Sequence, residues 1–255
     1  MSSHAAILLI TEGEKTEVLL FERILAQYEL SGTHYICPYK TNIYELHRKM
    51  FCEPNSEPSD YDITNVLRER ESDPDLKAEL DRHFSDILLV FDYEPQDTNF
   101  SPKAIREMQE YFNESTEMGK LYISYPMIEA YRHFTTLPDP SFNGRFVDLS
   151  DTQHYKRIVG EQSCIKNINN YDRETFDIIT VHNIEKACRL ADVPFSIINS
   201  RQCYENIDLL AVLSRQSEAT TSSKFIHVLC TALFFICDYA FNKIDITNVQ
   251  SKFER

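Results

Sequence analysis

The chain has 255 residues, of which 42% are hydrophobic and 26% charged, and it contains five glycines. This composition predicts ordinary globular material, enough for one large domain or two small ones, and it excludes a low-complexity protein. The formal net charge of −14 is hard to reconcile with phosphate binding. A nucleic-acid substrate would require positive charge from divalent metals, a local basic surface or a basic partner protein.

The N-terminal apolar run is too short for a signal peptide or a membrane span, because acidic residues begin after about six residues. The seven cysteines are widely scattered and include no CxxC pair. This spacing fits neither a disulfide framework nor a zinc site. We therefore expect a soluble, cytoplasmic protein that does not associate with membranes and whose cysteines are reduced.

Four short β-like runs alternate with helical patterns in the first half of the chain. The predicted strands cover residues 6–10, 35–39, 87–91 and 121–124. The predicted helices cover residues 18–28, 43–51, 63–71, 76–84 and 102–112. Strands separated by helices imply right-handed crossovers and a parallel sheet. The pattern therefore predicts an α/β fold with a parallel sheet of about four strands flanked by helices.

The character of the sequence changes after Pro138. Helical periodicity covers residues 174–191, 207–216 and 224–241, and no convincing strand is found there. We predict an α/β catalytic domain over residues 1–137 and a mainly helical subdomain over residues 138–255. The last helix is apolar nearly all round, which is compatible with burial in the core, with a partner interface or, least readily, with a membrane.

Carboxylates follow two of the predicted strands. Glu12 comes directly after the first strand, and Asp92 and Glu94 follow the third. Ligands of open α/β sheets bind beyond the carboxyl ends of the strands, so the two ends could share one metal ion. If the strand continues, Asp92 and Glu94 project to one side about 7 Å apart, and carboxylates suit magnesium. A solvated loop after a buried strand is the alternative for this pair.

The residues after Glu12 fit the start of a helix. Thr11 and Glu14 are spaced as a capping box, and Glu14 and Glu17 would lie in the first turns, where the helix dipole favours negative charge. The start of a helix therefore explains Glu14 and Glu17 without any functional role, and it explains Glu12 less well. Gly13 would let the chain turn tightly at the strand exit.

A third acidic position follows the fourth strand. Pro126 suits the first turn of a helix, in which Glu129 and His133 would lie four residues apart on one face. Such a pair is commonly a surface or packing feature. Its position beyond a strand end raises the alternative of a functional role.

Together these residues resemble the TOPRIM domain of topoisomerases, primases, overcoming-lysogenization-defect nucleases and small maturation ribonucleases. That family combines a hydrophobic strand ending in Glu-Gly with a later strand ending in Asp-x-Asp, which binds magnesium. Glu12, Gly13 and Asp92 match these positions, and Glu94 stands where the family has its second aspartate.

A closer resemblance is to bacterial RloB-like and related stand-alone TOPRIM proteins of restriction and anti-phage systems. It rests on EGEKTE at residues 12–17 and on YPMIEAYRHF at residues 125–134, where Tyr125 replaces the usual asparagine. The resemblance covers about residues 5–135 and leaves the C-terminal helices unassigned.

The resemblance implies phosphodiester cleavage that depends on magnesium or manganese, in which the metal neutralises phosphate charge and activates a water molecule. The implied metal ligands are Glu12, Asp92 and Glu94. The implied catalytic residues are Glu12 as general base or further ligand, Lys15 as a cation facing the phosphate, and Glu129 and His133 in substrate orientation or proton transfer. Lys15 equally fits a solvated helix face.

The sequence thus predicts a TOPRIM-type nuclease that cleaves RNA or DNA as an effector of bacterial anti-phage defence, activated by a partner such as an ATPase. The chain itself has no P-loop. The alternative is a non-catalytic TOPRIM-like interaction or sensor protein that binds a partner through its acidic face and C-terminal helices. The sequence leaves open the choice of nucleic acid and the formation of a homo-oligomer.

Overall fold

The fold is built on a mixed, mostly parallel sheet. A computed structural model describes residues 6–30, 34–52, 62–116 and 118–254. Its strands are β1 (Ala6–Thr11), β2 (His34–Pro38), β3 (Phe84–Asp92), β4 (Asn113–Glu114), β5 (Gly119–Tyr125), β6 (Phe146–Asp148), β7 (Phe225–His227) and β8 (Leu229–Cys230). The main sheet has the order β2-β1-β3-β5-β4, and β8 also pairs with β5. Strands β2, β1, β3 and β5 run parallel, whereas β4 and β8 are antiparallel to β5.

Eleven α-helices occur in the part of the chain that the structure describes. They are α1 (Thr16–Gln27), α2 (Ile43–Phe51), α3 (Ile63–Arg70), α4 (Pro74–Leu80), α5 (Pro102–Tyr111), α6 (Tyr155–Gln162), α7 (Arg173–Leu190), α8 (Ser200–Glu205), α9 (Leu209–Glu218), α10 (Phe234–Ala240) and α11 (Ile246–Phe253). Many of these helices begin directly after a residue whose side chain caps the first turn. The side chains of Asn42, Asp62 and Ser101, for example, accept backbone N–H groups at the starts of α2, α3 and α5.

The predicted α/β architecture is confirmed. In β1 the successive residues 7–10 are all buried, and so are residues 88–91 of β3. Strands covered on both faces read as continuous apolar runs, because each face packs against other elements of the fold. The sheet therefore lies within the hydrophobic core. The chain leaves β1 and β3 at the carboxyl edge of the sheet.

The predicted helix over residues 224–241 is wrong in its first half, and so is the expectation that no strand follows Pro138. This segment forms β7, β8, a 3₁₀ turn over Thr231–Leu233 and only then α10. Most of its apolar residues are buried because β8 docks on β5 and α10 lies in the core. Among the described helices, none is both long enough and apolar enough to cross a membrane.

Candidate metal centre

Glu12 joins the carboxyl ends of β1 and β3. It is the first residue after β1, and its backbone N–H donates to the carbonyl of Val90 in β3 over 3.0 Å. In return, the backbone N–H of Asp92 donates to Glu12 Oε2 over 2.9 Å. The side chain of Glu12 is thereby fixed beside the last residue of the neighbouring strand.

Asp92 and Glu94 are brought together by a turn. Strand β3 ends at Asp92, and the side chain of Tyr93 is fully buried. The N–H of Glu94 donates to the carbonyl of Pro126 over 3.0 Å, and Glu94 has a φ of 36°. The extended geometry considered for Glu94 is therefore absent, because the backbone enters the left-handed region at this residue.

The carboxylates of Glu12, Asp92 and Glu94 converge. One ligand atom from each residue can be chosen so that all three lie within 4.8 Å of one another. Oxygens on opposite sides of a magnesium ion are about 4 Å apart, since each Mg–O distance is about 2.1 Å. An all-oxygen donor set of this size fits one hard divalent cation after small side-chain movements.

Burial and like charge raise the pKa values of all three carboxyl groups. Burial, with further repulsion from Glu94, raises the pKa of Glu12 to about 8. Burial and the neighbouring Glu12 raise the pKa of Asp92 well above its usual range, and burial together with Asp97 raises the pKa of Glu94. A bound divalent cation would offset these costs, because its charge stabilises the ionised carboxylates.

Glu17 extends this acidic cluster from α1. It is buried, and its Oε1 accepts the backbone N–H of Gly13 over 3.1 Å. A Cβ atom on Gly13 would lie only 2.7 Å from Glu17 Oε2. Gly13 therefore leaves room for this carboxylate. Burial raises the pKa of Glu17, and the charge of Glu129 adds to the shift.

The predicted capping box is wrong. Helix α1 begins at Thr16, with Lys15 at the N-cap and no side-chain cap, while the Thr11 hydroxyl donates to the carbonyl of Gly13 over 3.0 Å. Glu14 lies before the helix and is exposed, and its carboxylate pairs with Lys40 at 3.1 Å. Lys15 is also exposed. Only Glu17 occupies the first helical turn as expected.

Glu129 lies in a 3₁₀ turn over Ile128–Arg132, so the predicted α-helix is wrong. A 3₁₀ helix has 3.0 residues per turn and does not place residues four apart on one face. Glu129 is buried, and its Oε2 has no hydrogen-bond partner within the described chain. Its Oε1 lies 3.6 Å from the ammonium group of Lys156.

His133 packs against α6 instead of sharing a helix face with Glu129. Its Nδ1 lies 3.0 Å from the Tyr155 hydroxyl, and its Nε2 lies 2.9 Å from Oε1 of Gln162. Burial lowers the pKa of His133 to about 4, so the ring is neutral near pH 7. Both ring nitrogens thus already have partners in the fold.

Lys156 of α6 faces the acidic cluster, and no sequence pattern singled it out. Its side chain is 67% exposed although the ammonium group approaches Glu129. Burial opposes the charged form, but the carboxylates of Glu129, Asp92 and Glu17 outweigh that effect and raise the pKa of Lys156. Lys156 lies outside every segment that carried a motif.

Comparisons with protein-family models, curated proteins and solved structures find no match to this chain.

Proposed function

We propose that the chain is a TOPRIM-type, metal-dependent nuclease that acts as an effector of bacterial anti-phage defence. The observation that carries the proposal is the convergence of Glu12, Asp92 and Glu94 at the ends of two adjacent parallel strands. Ligand sites of open α/β sheets lie at such ends. The RloB-like and TOPRIM resemblance supplies the reaction class, and RNA or DNA is the substrate.

Glu12, Asp92 and Glu94 would hold magnesium or manganese. A divalent cation at this position supplies charge neutralisation for a phosphodiester and lowers the pKa of a water molecule. The hydrogen bond from the Asp92 N–H keeps Glu12 Oε2 in place. Glu12 would act as a further ligand or as the general base, and the bound cation would lower its pKa from the value of about 8 in the metal-free site.

Lys156 is better placed than Lys15 to contact the substrate phosphate. Its ammonium group lies beside the buried Glu129, whereas Lys15 precedes α1 on the exposed surface. A lysine next to the acidic cluster would offset the charge that develops on the phosphate. Glu129 would position Lys156, and an activating partner such as an ATPase would complete the assembly.

Metal binding provides the first test. Magnesium at about 100 times its Kd should stabilise the wild-type chain by about 2.7 kcal/mol, which is a rise in Tm of roughly 5–10 °C for a chain of this size. Asp92→Asn should abolish this rise and raise the Tm in EDTA, because it removes a buried like charge. Glu14→Gln, a change at an exposed residue of the same loop, is the matched control.

Cleavage provides the second test. Single- and double-stranded RNA and DNA are incubated with the protein and magnesium, manganese or EDTA, with and without the product of the neighbouring gene. Cleavage should require the metal and be lost in Asp92→Asn. If the wild-type chain neither binds the metal nor cleaves any substrate, the nuclease proposal fails and a non-catalytic interaction protein replaces it.

A further inference from the structure

Strands β6 and β7 form a two-stranded antiparallel ribbon apart from the main sheet. Their register pairs Phe146 with His227, Val147 with Ile226 and Asp148 with Phe225. Side chains alternate along a strand, so one face carries Val147 and Ile226 and the other carries the remaining four. The first face is buried in the core.

The second face is aromatic where a solvated face is usually polar. Phe146 is 53% exposed, and its ring centroid lies 4.9 Å from that of Phe225. The ring of His227 follows at 5.0 Å from Phe225. Three rings thus form a continuous strip, and Asp148 is the single acidic residue of this ribbon face.

Two exposed cations lie beside this strip. Exposed Lys224 immediately precedes β7, and its Nζ donates to the carbonyl of Thr221 over 2.8 Å. Exposed Arg189 donates to the side chain and carbonyl of Asn143, each over 2.9 Å. Neither cation forms an ion pair with a carboxylate among the described residues. The rim of the strip thus carries two cations, one of which also interacts with the Glu185 carboxylate, in a chain whose net charge is −14.

Behind the strip lies Lys186, whose pKa is lowered well below its usual range by burial. Lys186 is fully buried, and its Nζ donates only to backbone carbonyls, those of Phe142 and Arg145. Burial lowers the pKa of His227 to about 4, and the positive charges of Lys186 and Arg189 contribute to this shift. The positive charge available to a ligand on the strip is therefore that of the exposed Lys224 and Arg189.

We propose that the aromatic ribbon formed by Phe146, Phe225 and His227 binds single-stranded nucleic acid, with bases stacked on the phenylalanine rings and phosphates facing Lys224 and Arg189. The inference rests on the proposed nuclease function and names its substrate class. Aromatic platforms beside a basic surface bind single strands with little sequence preference, because every base has a π-face. A double helix keeps its bases stacked on one another and offers none to these rings.

The ribbon is linked to the candidate metal centre by a short stretch of chain. After β6, a 3₁₀ turn over Leu149–His154 leads directly into α6, which carries Lys156. The N–H of Leu149 donates to the carbonyl of Lys224 over 2.9 Å, which ties this turn to the start of β7. The ribbon and the helix that presents Lys156 to the acidic cluster are therefore separated by a single 3₁₀ turn of the chain.

The test measures fluorescence anisotropy of labelled oligothymidylate and oligouridylate, about 12 nucleotides long, at low salt in EDTA. Phe146→Leu should weaken binding about tenfold, whereas Phe146→Trp should retain it, since stacking needs an aromatic ring. Lys224→Gln should reduce the salt slope by about 0.7. Ile198→Ala, at a residue that is 67% exposed, is the control and should bind like wild type.

Equal affinity of wild type and Phe146→Leu would overturn the proposal, as would equal affinity for single strands and duplex. Self-association that Phe146→Leu abolishes, without any effect on oligonucleotide binding, would assign the ribbon to a second copy of the chain. Because binding is measured in EDTA, a failure here with an intact magnesium-dependent rise in Tm leaves the nuclease proposal standing. Oligonucleotide binding without a magnesium-dependent rise in Tm would instead refute the metal site and leave the ribbon proposal standing.

Discussion

At the residue scale, the fold holds carboxylates that repel one another close together in the candidate metal centre. Glu12 and Asp92 lie on adjacent strands, where their backbones are fixed by the sheet, so their carboxylates cannot move far apart. The raised pKa values follow from burial and from this enforced proximity. Stability in the metal-free state is thereby reduced at the candidate metal centre, as is common at functional sites.

The metal-free protein should lose stability as the pH rises from about 4.5 to about 8, and the loss should level off at higher pH. The folded state binds more protons than the unfolded state in this range, because the pKa of Glu12 is about 8 in the folded protein and 4.5 for an unperturbed glutamate. The slope should not exceed about 1.4 kcal/mol per pH unit for one group. Thermal melts in EDTA measure it.

Saturating magnesium should flatten this pH profile, because the carboxylates are then ionised in the folded state as well. Glu12→Gln should make it shallower without the metal, since the raised pKa values of Asp92 and Glu94 remain. Parallel profiles for the wild-type protein in EDTA and in magnesium would show that the cation does not bind these carboxylates.

Lys156→Gln should slow cleavage by roughly 10- to 100-fold, since it removes a positive charge beside the reacting phosphate. Its affinity for magnesium should not fall, because a competing cation next to Glu129 is lost. Arg157→Gln is the matched control on the same helix, where Arg157 is exposed and pairs with Glu161. Initial rates measure the effect of each variant on cleavage, and calorimetry measures its affinity for magnesium. A cleavage rate of Lys156→Gln equal to that of wild type would remove Lys156 from the mechanism.

At the element scale, the edge of β5 is completed by the chain that follows β8. The Thr231 hydroxyl accepts the N–H of Ile123 over 2.7 Å and donates to the carbonyl of the same residue over 2.9 Å. One side chain thus takes the place of a paired strand residue. This arrangement satisfies both backbone groups of Ile123 in the core, where unpaired groups are costly.

Thr231→Val should therefore destabilise the protein by about 1–3 kcal/mol, although the two side chains have nearly the same shape. Urea unfolding followed by circular dichroism measures the loss. Thr221→Val, at an exposed threonine whose hydroxyl bonds within its own helical turn, should change stability little. Equal stability of the two variants would show that the Thr231 hydroxyl does not bridge β5.

At the scale of the whole molecule, residues 138–255 contribute to the same core as the N-terminal strands. Strand β8 pairs with β5, the ring of Phe235 lies 5.4 Å from that of Phe21, and the Tyr28 hydroxyl donates to Asp177 over 2.5 Å. One hydrophobic cluster includes residues from both parts. The division at residue 137 stays a prediction from composition.

A fragment of residues 1–137 should therefore not fold into a stable unit. Removal of the C-terminal part exposes the apolar face of α1 and leaves the hydroxyl of Tyr28 unpaired. We expect weak near-ultraviolet circular dichroism and no cooperative urea transition, whereas the full chain should show both. A cooperative transition in the fragment would establish an independent N-terminal domain.

The sequence by itself determined the parallel sheet, most helix bounds and the positions of Glu12 and Asp92 at strand ends. These features depend on local periodicity and on the rule that parallel strands end at one edge. Only the tertiary structure decided the turn at Glu94, the approach of Lys156 to Glu129 and the strands within residues 225–230. Each depends on contacts between segments far apart in the chain, which local residue patterns do not encode.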